Sequence, residues 1–167
     1  MKKANSLKTK SPADSAVIMT ELVLPQHTNA LGTIFGGTVM SWIDIAGAIS
    51  AGKYARCSVV TASIDALHFI APIKLGHAVQ LKACVNLTGK SSMEVGVRVD
   101  SENLITGERF HNVSAYLTFV ALGSDGKPRE VPPLEPKNEA EKRRYKSAIK
   151  RRASRVALAK DIKNEDH

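Results

Sequence analysis

One carboxylate stands apart in this chain. Asp44 lies within GGTVMSWIDIAGAISAGKY, residues 36–54, where no other charge occurs before Lys53. Burying an ionised, unpaired carboxylate is costly, and aspartates are almost never fully buried without a partner. Two readings stay open. Asp44 is either a functional group in a cleft, or one member of a polar stripe, with Ser41, that meets solvent or a backbone N–H. Gly36-Gly37 opens the same stretch. Glycines at a helix start let another molecule approach the backbone, and the free N–H groups there stabilise negative charge such as an oxyanion at an attacked carbonyl. The plain alternative is a tight loop-to-helix turn that needs glycine for space. Asn29, in HTNALG, could orient a water or a carbonyl, or simply form an Asx turn. Lys90-Ser91-Ser92 sits in a short turn whose N–H, hydroxyl and ammonium groups suit a phosphate, or make an ordinary hairpin.

Other chemistries find little support. The five histidines, His27, His68, His77, His111 and His167, show neither metal-ligand spacing nor a Ser/His/Asp order. His68 reads as a sheet residue, and only His27, beside Asn29, is kept in reserve. Cys57 and Cys84 form no disulfide framework or paired metal motif and read as small core residues of a reducing compartment.

The elements that must position these residues follow from periodicity. Residues 1–15 read as a flexible leader. Val17–Leu24 reads as a strand ended by Pro25. Residues 36–54 read as one helix, apolar on almost every face and therefore buried all round. Four strand candidates come next: 58–70, 78–88 (Val79, Leu81, Ala83, Val85 and Leu87 on one face), 93–101 (Met93, Val95, Val97, Val99) and 109–122. Residues 138–160, rich in Ala, Glu, Lys and Arg, read as a mostly solvated helix. The fold class is thus α+β: one long central helix wrapped by a five- to six-stranded antiparallel sheet, with a C-terminal helix. The domain spans residues 16–136, and 137–167 form a basic tail. A single such sheet leaves an edge unpaired, which dimerisation relieves.

Composition bounds the function classes. With 43% hydrophobic residues in 167, one packed domain is expected. The net charge of +8 is unevenly placed. Residues 1–10 hold four lysines and no acid, and 137–167 hold eleven Lys/Arg against five Asp/Glu, which leaves 11–136 at −2. A near-neutral body does not imply nucleic-acid binding. The start lacks the apolar run of a secretory signal, and the weakly polar run 38–52 is too short to span a bilayer. The expected location is the cytoplasm, with no membrane partner.

The string LPQHTNALGTIFGGTVMSWIDIAGAISA resembles the opening of the YciA-type acyl-CoA thioesterases and the vertebrate cytosolic acyl-CoA hydrolases. VVTASIDALHFIAPIKLGHAV, SSMEVGVRVDSENLITGE and GKPREVPPL continue the resemblance over about residues 17–135. It implies the hotdog fold, assembled as dimers and on to hexamers as trimers of dimers. It implies hydrolysis of acyl-CoA thioesters at sites shared between subunits, with no cofactor and no metal, coenzyme A being part of the substrate. Asp44 of one subunit would be general base or nucleophile, Asn29 of the other would position water or carbonyl, and the Gly37 N–H would serve the oxyanion. Gly36, Thr38, Lys90, Ser91 and Ser92 would touch the substrate. A non-enzymatic acyl-CoA-binding regulator is the alternative, and a dehydratase is disfavoured because the apolar helix offers no histidine.

Overall fold

The computed structural model describes residues 7–165. Five strands form one antiparallel sheet: β1 (Val17–Leu22), β2 (Ser58–Ile64), β3 (His77–Thr88), β4 (Ser92–Asn103) and β5 (Arg109–Leu122), in spatial order β1-β3-β4-β5-β2. β1 and β2 are the two edges although they are consecutive strands, so the chain between them must cross a whole face of the sheet. That crossing is α1 (Gly36–Ala55), twenty residues and about 30 Å long.

Alternation on β3 and β4 builds the core, except that a register shift between Val85 and Leu87 sets Leu87 opposite Glu94 on the outer face rather than on the Val79–Val85 face. Val79, Leu81, Ala83 and Val85 of β3 and Met93, Val95, Val97 and Val99 of β4 pack with Val113, Ala115, Leu117 and Phe119 of β5 against Val39, Trp42, Ile43 and Ala46 of α1. Gly47 brings helix and sheet close: a Cβ there would lie 2.9 Å from the buried Phe119 ring. Each strand candidate from the alternation is present, but β2 ends at Ile64 rather than at residue 70, and His68 is exposed in the irregular segment that follows. A register shift between Thr61 and Ser63 and the approach to Pro72 take the chain out of the ladder.

Two further features depart from the sequence reading. Residues 1–6 lie outside the described residues, but residues 7–15 do not hang loose. Lys10 bridges Leu134 and donates through Nζ to the Tyr54 carbonyl (2.6 Å), and buried Ser15 accepts the Val85 N–H on its hydroxyl (2.8 Å). Nor is α1 buried all round: Met40, Ser41, Ile45 and Ile49 share one exposed side of it. The C-terminal helix α2 (Glu139–Glu165) is mostly exposed, as its composition implies, though not on every side. Ala148 and Glu141 are buried, and Arg151 and Arg155 reach the outer face of the sheet at Glu94 of β4.

Candidate active site

Asp44 occupies the third turn of α1, on its open side. Ser41, Ile45, Ala48 and Ile49 surround it at helical spacing, and β2 runs alongside. The exposed face is apolar almost throughout: Met40, Ile45 and Ile49 of α1 are exposed, Ile64 of β2 lies on the same side of the sheet as Thr61, and Phe69 and Ile70 follow beyond it. A half-buried carboxylate in such a face is held by one partner. The Thr61 hydroxyl donates to Asp44 Oδ1 at 2.6 Å, and among the described residues no other group hydrogen-bonds to it. The short distance suits a charge-assisted bond. It fixes one oxygen and leaves Oδ2 without a hydrogen-bond partner among the described residues. Thr61 is the candidate site residue that sequence reading missed, because a threonine in VVTASI looks like any other β-branched strand residue.

Asn29 sits where the first loop turns back. Its Oδ1 accepts the Leu31 N–H (2.9 Å) and the Thr33 N–H (3.3 Å), so the Asx turn is real. Two backbone donors on the oxygen also orient the carboxamide, whose NH2 group donates one hydrogen to Thr33 Oγ1 (3.0 Å) and keeps a second for a ligand. The Thr28–Ile34 bridge and the Phe35 N–H donated to His27 (2.9 Å) tie this loop to the start of α1. His27 itself is structural: its ring meets Trp42 edge-on at 5.2 Å, and Nδ1 accepts the Leu24 N–H.

Gly36 and Gly37 form the first turn of α1, whose N-terminus no side chain caps. The two glycines differ. A Cβ on Gly36 would touch the Phe69 ring at 3.4 Å, whereas one on Gly37 would meet nothing within 4 Å. Gly36 therefore makes room for packing, and Gly37 leaves an approach to the backbone open. Thr38 follows, its N–H already bonded to the Phe35 carbonyl at 3.0 Å.

Not all of the expected residues come together. Gly37 and Asp44 stand two turns apart on α1, about 10 Å along the axis, and Asn29 hydrogen-bonds within its own loop. Lys90, Ser91 and Ser92 form the β3–β4 turn. Their carbonyls receive the N–H groups of Val131, Ala121 and Gly89, and Lys90 Nζ faces Glu130 at 3.6 Å in solvent. Met93 pairs with Phe119, which pairs with Thr61, so this turn lies level with Thr61 but two strands away, about 10 Å across the sheet. Among the described residues no group of three or more His, Cys, Asp or Glu could hold a metal ion, and no helix is long and apolar enough to cross a membrane.

The family model described as "Thioesterase superfamily" matches residues 31–107, a span holding α1, Asp44, Thr61 and the β3–β4 turn. A Bacillus subtilis (strain 168) protein named "uncharacterized acyl-CoA thioester hydrolase YkhA" is 43% identical over 143 residues, covering 86% of this chain and 83% of that one. The chain belongs to the thioesterase superfamily. Its fold is the hotdog fold of that superfamily, with a second helix outside the sheet. Among solved thioesterases, an apo-hexameric acyl-CoA thioesterase superposes with a TM-score of 0.88 at 46% identity, over 92% of this chain and 98% of that one. A Staphylococcus aureus acyl-CoA hydrolase in complex with butyryl coenzyme A, coenzyme A and coenzyme A disulfide superposes at 0.84 with 39% identity, over 95% and 99%. Three further structures of the S. aureus hydrolase carry alanine in place of one aspartate, one asparagine and one threonine, numbered one below Asp44, Asn29 and Thr61 here.

Proposed function

We propose that this thioesterase hydrolyses acyl-CoA to the free acid and coenzyme A at sites built from two copies of the chain. The observation that carries the reading is Asp44 held by Thr61 on an exposed, apolar side of a central helix. A carboxylate there is poised at the boundary where a second copy would cover it and where water and an acyl thioester would be drawn out of bulk solvent.

Distance along the helix divides the roles between subunits. One thioester carbonyl cannot meet Gly37 and Asp44 of one chain when about 10 Å separates them. Asn29 and Gly37 belong to the same end of α1, while Asp44 and Thr61 lie two turns further on. A productive site therefore combines the Asn29–Gly37 end of one protomer with the Asp44–Thr61 pair of the other. Asp44 Oδ2 accepts a proton from water as it attacks the thioester carbon, and Thr61 keeps the carboxylate aimed. The Gly37 N–H and the Asn29 NH2 group donate to the oxygen that becomes negative. Collapse of the tetrahedral intermediate expels the coenzyme A sulfur, which takes the proton that Asp44 holds. A positioned base contributes roughly 10²–10⁴ in rate, and one oxyanion donor about 3 kcal/mol. Thr38 and Gly36 line the start of α1 beside the carbonyl. The Lys90–Ser92 turn, further out, is placed for the phosphate-bearing end of coenzyme A, and the exposed apolar face of α1 and β2 is the dimer surface from which a trimer of dimers is built.

Thiol release from a panel of acyl-CoAs tests this directly. The wild-type protein turns them over, and Asp44→Asn loses about 10²–10⁴ in kcat with its fold intact. Undiminished turnover in Asp44→Asn overturns the site.

A further inference from the structure

The strand that carries Thr61 is poorly fixed by its own sequence. β2 is an edge strand, Val60, Thr61, Ala62, Ser63 and Ile64 are all exposed in the chain, and its ladder with β5 shifts register between Thr61 and Ser63. An edge strand with only Val59 packed on the core specifies its register weakly, and a slip of one residue would turn Thr61 away from Asp44. In its own chain, something besides the β5 ladder must hold the end of this strand, beyond the edge that a second copy covers.

A ring of contacts at its far end does so. Glu94 of β4 is almost wholly buried, its side chain 1% exposed, and such a carboxylate needs cations. Arg151 of α2 supplies one, with Nη2 2.6 Å from Oε1 and its guanidinium stacked 3.5 Å over the Tyr116 ring. Arg155, one helical turn on, supplies the second. Its Nη1 lies 2.8 Å from Glu94 Oε2, out of line for a hydrogen bond, and donates to Asp65 Oδ2 at 2.9 Å. Asp65 is the residue immediately after β2, and its N–H donates to the Tyr116 carbonyl at 2.9 Å. The ring thus closes from Asp65 through Tyr116, Arg151, Glu94 and Arg155. Both Arg155 and Asp65 are about four-fifths buried, so the pair is better shielded from water than a surface ion pair.

We propose that Arg155 and Asp65 are positioning residues of the hydrolytic site: the C-terminal helix, anchored on Glu94, clamps the end of β2 and so keeps the Thr61 hydroxyl on Asp44. The clamp rests on the hydrolase reading for its kinetic consequences, but not for its effect on β2 itself. Arg155 is already fixed by Glu94, so Asp65→Asn, which removes the charge on the strand side of the pair, loosens the end of β2 while leaving the helix anchored.

The test uses the full chain and steady-state kinetics on an acyl-CoA that the wild type hydrolyses. Arg155→Met lowers kcat by about tenfold to a hundredfold with KM unchanged, the range expected when a reacting group is displaced by about 1 Å. Asp65→Asn does the same, Arg155→Lys recovers most of the rate, and Lys150→Ala, an exposed charge on the same helix, has no effect. In a Thr61→Ala background, Arg155→Met costs less than about twofold more, because both changes break one linkage. Amide hydrogen exchange in residues 58–64 speeds up in Asp65→Asn while residues 93–103 stay as protected as in the wild type. A raised KM with unchanged kcat, or multiplying costs in the Thr61→Ala background, makes Arg155 a substrate or bulk-stability residue and overturns the clamp. So does unchanged exchange in 58–64, which is readable even if the wild type turns over no acyl-CoA and the hydrolase reading itself fails.

Discussion

At the residue scale, the site separates two kinds of glycine that look alike in sequence. Gly37 has open space where a side chain would sit and a φ that any residue can adopt, so nothing in the fold requires it. Alanine there removes a flexible residue from a helix and stabilises it by about 0.5–1 kcal/mol. In the proposed site, the same methyl group would stand where a substrate carbonyl approaches the N–H. Gly37→Ala is therefore expected to keep or raise the melting temperature while kcat/KM falls tenfold or more. Thermal unfolding and thiol release on one preparation check both halves, and full activity would remove Gly37 from the oxyanion site. Asp44 was legible as an outlier because its spacing set one charge inside an apolar run. Thr61 was not, because its role exists only through a hydrogen bond seventeen residues away in sequence.

At the element scale, α1 was legible in its bounds and not in its environment. Apolar residues on every side of a helix imply burial, yet in one chain only the side facing the sheet is covered. On that covered side the packing is tight. A methyl group on Gly47 would press on Phe119, which is fully buried and cannot swing aside. Overpacking of this kind costs about 1–3 kcal/mol, against the roughly 1 kcal/mol that alanine returns as a better helix former. Gly47→Ala is expected to lower the urea midpoint of unfolding, the reverse of Gly37→Ala ten residues earlier. The tail helix was legible as a helix from its Ala, Lys, Arg and Glu content, but composition could not say that Arg151 and Arg155 face inward onto a buried acid of a strand whose alternation marks Glu94 as outward.

At the scale of the whole molecule, Met40, Ile45, Ile49 and Ile70 are exposed apolar residues around a half-buried carboxylate, the kind of surface that marks an interaction site, and the proposed function has a second copy complete it. If Asn29 of one copy serves Asp44 of the next, two inactive variants can repair each other. Asp44→Ala and Asn29→Ala proteins, unfolded together and refolded as a mixture, form half of their dimers as hybrids. Each hybrid carries one site with both residues intact and one with neither. The mixture is expected to recover about a quarter of the wild-type rate, measured by thiol release, while either variant refolded alone recovers none. A mixture no more active than its components would place both residues in one chain's site.

Local physics is written along the chain, so the sequence alone determined the strands of period two, the long apolar helix, the turns between them and the anomalous Asp44. Those features depend on neighbours a few residues apart. The tertiary structure decided what depends on the crossover: that β2 becomes an edge beside α1, that Thr61 meets Asp44 there, and that Arg155 meets Asp65 across ninety residues. No periodicity encodes such pairs, because they arise only once the helix has carried the chain from one edge of the sheet to the other.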